Sequence, residues 1–65
     1  MKQIKEELSK EKYSEYQRLS YSDREALIEQ EVPAQWIYGY GYYGHSLLCR
    51  DGKYFIIHTI GNSCD

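Results

Sequence analysis

Asp51-Gly52 stands between two runs rich in strand-forming residues, His45 to Arg50 and Lys53 to Ile60. An Asp-Gly pair so flanked is the strongest short-range signal for a β-hairpin. A type I′ turn pairs Arg50 with Lys53, Cys49 with Tyr54, Leu47 with Ile56 and His45 with His58. A type I turn with a glycine bulge shifts every partner by one residue, and the residues alone leave both registers open.

Length limits what can be built around that hairpin. A chain of 65 residues removes from water only about 60% of the surface it exposes when unfolded. One domain, residues 1–65, is therefore expected, and a disulfide, a metal or a second subunit would each add needed support. The formal charge of -2 is too small for an acidic nucleic-acid mimic and has the wrong sign for a phosphate binder. Residues 1–31 hold six Lys or Arg and eight Asp or Glu, whereas residues 32–65 hold only Arg50, Lys53, Asp51 and Asp65. Core and contact surface are expected in the neutral, aromatic second half. No apolar run approaches a membrane span, and Met1 to Lys12 has no signal-peptide core, so the expected address is the cytoplasm.

The first half reads as helical. Lys2 to Leu19 is mostly good helix formers, with Glu6 four residues before Lys10 in the favourable orientation for an ion pair. The apolar stripe of this helix, Ile4, Leu8 and Leu19, is thin, and its charges read as a solvated face. Ser22-Asp23-Arg24-Glu25 matches the capping box, which predicts a second helix starting at Ser22, with Tyr21 and Ala26 as a weak hydrophobic staple. Pro33 disfavours helical geometry at Val32, so that helix should end near Glu31, burying Leu27 and Ile28.

Beyond Pro33 the period changes to two. Trp36, Tyr38, Tyr40 and Tyr42 alternate with Ile37, Gly39, Gly41 and Tyr43, which predicts a further strand with one aromatic side and one nearly bare side. Glycine also marks bends, and Gly41 to Gly44 is the alternative place for a turn. The fold class expected is α+β: two N-terminal helices (1–31) packed on a small C-terminal antiparallel three-stranded β-meander (34–61), followed by a polar tail (62–65).

The chemistry-bearing residues are few. His45, Cys49, His58 and Cys64 lack the paired spacing of a zinc site, and strand geometry sets His45 and Cys49 about 13 Å apart. No metal or other cofactor is expected. Cys49, beside Leu47 and Leu48, reads as a buried, inert thiol, and a Cys49–Cys64 disulfide is possible but disfavoured in a reducing compartment. His45 and His58 face each other in the type I′ register, where two imidazolium ions would repel.

Trp36 to His45 is the most unusual segment. Tyrosine offers a large contact area with few torsions to freeze, and glycine lets the backbone adapt, a combination that binding loops use. The same rings would serve equally as core. The functional expectation is a non-enzymatic protein-binding module, adaptor-like or inhibitor-like, contacting a protein partner or a second copy through Trp36, Tyr38, Tyr40, Tyr42, Tyr43, His45 and His58. The alternatives are a small single-stranded nucleic-acid binder, disfavoured by the lack of a basic groove, and a thiol or metal-dependent protein. No small-molecule substrate is implied.

Overall fold

The computed structural model describes residues 1–62. In chain order it runs β1 (Lys2–Leu8), α1 (Lys10–Arg18), α2 (Tyr21–Ile28), α3 (Ala34–Tyr38), β2 (Tyr42–Arg50) and β3 (Lys53–Gly61). The class is α+β, with a three-stranded antiparallel sheet in the order β1-β3-β2. The third strand comes from an unexpected place. It is residues 2–8, expected to be helical, while residues 34–38, expected to begin a strand, form a helix.

Ile4 and Leu8 explain the first difference. Residues four apart share a face in a helix and also in a strand, so their spacing does not choose between the two. Pairing chooses: β1 lies along β3 with Ile4 opposite His58, Glu6 opposite Ile56 and Leu8 opposite Tyr54. Ser9 then ends the strand and caps α1, its hydroxyl accepting the Lys12 backbone N–H at 3.1 Å. Glu6 and Lys10 therefore belong to different elements and form no helical pair.

The cap of α2 also differs from expectation. Ser20, not Ser22, is the N-cap and accepts the Asp23 backbone N–H at 3.2 Å. Both serines stand three residues before an acid, so the local pattern fits either. The junction selects Ser20, because Arg24 donates from Nε to the Tyr16 carbonyl at 2.8 Å and from Nη2 to the Leu19 carbonyl at 3.2 Å. These bonds tie the first turn of α2 to the end of α1. After Ile28, turn bonds from Gln30, Glu31 and Val32 carry the winding almost to Pro33.

In α3, Trp36 N–H bonds the Pro33 carbonyl at 2.9 Å and Gly39 N–H bonds the Gln35 carbonyl at 3.0 Å. Helical winding turns Trp36 and Ile37 partly inward and Tyr38 outward. The period-two pattern of tyrosine and glycine is thus coincidental over this stretch. Gly41 takes a φ of 78°, a left-handed conformation that glycine adopts freely, and turns the chain into β2.

At the hairpin, Asp51 has φ 53° and Gly52 φ 75°. Two positive values define the type I′ turn, and the register is Arg50 with Lys53, Cys49 with Tyr54, Leu47 with Ile56 and His45 with His58. All nine pairs follow in unbroken sequence to Tyr42 with Gly61.

Strand alternation sorts the sheet into two faces. Leu8, Tyr43, Leu47 and Ile56 point to the helices and pack with Tyr16, Leu27, Ile28 and Val32. Tyr16, Ile28, Ile56 and Ile60 are buried, and each such aliphatic side chain stabilises the fold by about 2 kcal/mol. The opposite face carries Leu48, Phe55 and Ile57, half-buried within the sheet itself.

Candidate functional site

The aromatic residues singled out in the sequence do not form one row. Tyr38, Tyr40 and Tyr42 are exposed, at 73%, 37% and 43% of their accessible surface, whereas Trp36 lies half-buried on α3 with its ring 5.4 Å from that of His58. Tyr43, His45 and His58 belong to the helix-covered face. Tyr42 lies on the other face, with its hydroxyl 3.0 Å from where a Cβ on Gly44 would sit. The ring thus lies along the strand over a position that has no side chain.

From Tyr42 the helix-free face continues through Thr59, opposite Gly44, to Ile57, opposite Ser46, and to Phe55, opposite Leu48. Lys5 of β1 sets its ammonium 4.3 Å from the Phe55 ring centroid, a cation–π contact. Arg50 and Lys53 share this face, against Glu7, so the face is basic on a chain whose net charge is -2.

On the covered face, His58 joins all three strands. The Glu6 carboxylate, 3.0 Å from Nε2, can only accept, so Nε2 carries the proton and Nδ1 accepts the Tyr43 hydroxyl at 2.7 Å. Burial lowers the His58 pKa against the opposing pull of Glu6, and burial also holds the Tyr43 hydroxyl well above its ordinary value. His45, directly across from His58, is different. Among the described residues neither of its ring nitrogens has a hydrogen-bond partner, and its ring stacks on Tyr21 at 4.4 Å and 10°. Tyr21 therefore serves this contact rather than a staple with Ala26. Burial, with the charges of Arg24 and His58 adding to it, pushes the His45 imidazole down to about 4.

Between sheet and helices lies a pocket of about 130 Å³ lined by Glu6, Tyr16, Glu31 and His58 on its polar side and Leu8, Ile28, Val32 and Ile56 on its apolar side. Glu31 accepts the Tyr16 hydroxyl at 2.7 Å and pairs with the Lys12 ammonium at 2.6 Å. The Lys12 bond holds the Glu31 carboxyl below its usual range, and the same bond raises Lys12. Burial, then the Glu31 bond, holds the Tyr16 phenol well above its ordinary value. The volume is well under the roughly 300–1,000 Å³ of ligand pockets and suits a few waters. Among the described residues Glu6, Tyr16, Glu31 and His58 each have a protein partner, and both His58 nitrogens are engaged.

Cys49 is exposed, not buried. It sits one pair from the hairpin turn, opposite Tyr54, whose ring is covered by Tyr13 at 4.7 Å. Cys64, and with it the disulfide considered above, lies outside the described residues. Among the described residues no group of three His, Cys, Asp or Glu side chains is placed to hold a metal ion, and no helix is long and apolar enough to cross a membrane.

Sequence reasoning missed the roles of Glu6, Lys12, Tyr16 and Glu31, reading Glu6 as a helical partner of Lys10 and Glu31 as the end of the second helix. Glu31 meets Tyr16 and Lys12 across 15 and 19 positions, and no local pattern marks such a meeting. Phe55 and Lys5 were missed for the same reason.

The arrangement defines a two-layer α+β domain with one helix-covered and one open sheet face. Compared with known proteins, the chain matches no family model, no curated sequence and no solved structure.

Proposed function

We propose that this chain is a non-enzymatic protein-binding module whose contact surface is the exposed Tyr38-Tyr40-Tyr42 segment together with the helix-free sheet face. The observation that carries the reading is the partition of the tyrosines: Tyr16 and Tyr43 serve the core, while Tyr38, Tyr40 and Tyr42 are exposed, and Tyr42 shares its sheet face with Ile57, Leu48 and Phe55. Exposed aromatic side chains mark interaction surfaces, and tyrosine is a usual energetic anchor there. Lys5, Arg50 and Lys53 at the rim favour a partner that presents apolar side chains flanked by carboxylates.

The test is affinity capture with the intact chain and with Tyr38→Ala/Tyr40→Ala. The double variant should keep the parent's circular dichroism and melting temperature and lose the captured protein. A folded variant that retains the protein would defeat the reading.

A second reading, single-stranded nucleic acid, draws support from the same open face, where Lys5 sits over Phe55 and Arg50 and Lys53 lie at the hairpin end. Affinity for nucleic acid falls steeply with salt, whereas capture through tyrosine contacts changes little. Loss of capture under nuclease would favour this second reading.

A further inference from the structure

The two edges of the sheet are unlike. On β1 the residues Lys2, Lys5, Glu6 and Glu7 blunt the edge with charge, the usual protection against pairing with another chain. On β2 no charge, proline or bulge occurs from Tyr42 to Cys49, and its register with β3 is unbroken. Among the described residues no strand lies beyond it.

The type I′ turn fixes which backbone groups face outward. Arg50 and Lys53 close the hairpin as a hydrogen-bonded pair, so alternate residues Leu48, Ser46, Gly44 and Tyr42 also bond to β3. Tyr43, His45, Leu47 and Cys49 then aim their N–H and C=O groups away from the sheet. Although α3 packs against β2, among the described residues no helix or loop backbone bonds to the outward groups of this strand.

We propose that β2 pairs antiparallel with β2 of a second copy, about a two-fold axis at Ser46, joining two sheets into one of six strands. Three features favour a second copy as the occupant. Tyr42–Arg50 is centred on Ser46, so antiparallel self-pairing in full register matches every outward group of one copy with one of the other. In that register Tyr42 lies opposite Arg50 of the second copy, an aromatic ring beside a guanidinium, and Gly44 lies opposite Leu48, where the Tyr42 ring already covers the glycine. Finally, among the described residues only four hydrophobic side chains are buried, and association is a common support for chains of this size.

Sedimentation across a concentration range should show a dimer for the full chain. Ser46→Lys, an exposed change that sets two like charges opposite each other, should give a monomer with unchanged circular dichroism. Gln3→Lys on the β1 edge and Tyr38→Ala/Tyr40→Ala should leave the dimer intact, which separates this pairing from partner capture. With Cys49 and Cys64 replaced by Ser, Ser46→Cys should form a covalent dimer under mild oxidation, since a non-hydrogen-bonded pair holds its Cα atoms about 4.5 Å apart, within disulfide range. A monomer at every concentration, a dimer indifferent to Ser46→Lys, or a dimer in which Ser46→Cys does not cross-link would each overturn the proposal.

Discussion

His58 donates from Nε2 to Glu6 at 3.0 Å across the central and first strands, so a carboxylate near one end of the chain satisfies an imidazole near the other. His58 is 2% exposed, and the loss of a partner leaves a buried donor whose desolvation goes uncompensated.

Glu6→Ala should therefore lower stability by about 1–3 kcal/mol, read from the midpoint of urea unfolding. Glu6→Gln, which keeps an acceptor, should cost clearly less. Equal midpoints for the parent and the alanine variant would contradict the bond.

His45 makes stability depend on pH. Its folded pKa of about 4 lies below the unfolded value of about 6.5, so the unfolded chain takes up the proton first. This contribution is full above pH 6.5 and is lost as pH falls towards 4, by up to about 3 kcal/mol. His58, lowered in the same sense, adds to the slope. His45→Phe keeps a ring against Tyr21 and should flatten the melting temperature between pH 7 and 4.5 relative to the parent.

The N-cap of α2 separates two serines. Ser20→Ala should cost about 1 kcal/mol, the usual loss for a cap, while Ser22→Ala should stay within about 0.5 kcal/mol of the parent. The reverse order in thermal melts would place the helix start two residues later.

Gly52→Val tests the hairpin. A φ of 75° costs an L-residue about 1–2 kcal/mol, and a β-branched side chain resists it further. The space around Gly52 is open, so the penalty is conformational and Gly52→Asn should recover most of it. A valine variant melting with the parent would rule out the turn geometry.

What could be read from the residues was what local chemistry decides. Asp51-Gly52 carried its turn but left two registers open, of which the structure takes the one that sets His45 opposite His58, and Leu27 and Ile28 were legible as a buried helical side. Residues 2–8 were not legible, because four-residue spacing suits both periods and the partner that decides between them lies in β3. Residues 34–38 were misread because alternating rings imitate a strand over too short a window to exclude a single helical turn. In the candidate site the residues left open whether Tyr40 and Tyr42 face core or solvent, and the structure exposes both. The Glu6–His58 and Tyr16–Glu31 contacts were not legible, since they exist only once distant elements have met.

The pairing of β1 with β3 also sets an order of events. Among the described elements synthesis makes β1 before its neighbour β3, so the earlier segment must wait, unpaired and ambiguous between two conformations, while the chain grows. The β2–β3 hairpin closes locally and fast, whereas docking β1 spans nearly the whole chain, and such non-local closure is what slows folding. Because β1 and β2 each pair only with β3 among the described residues, a growing chain on the ribosome stays without its sheet until β3 has emerged.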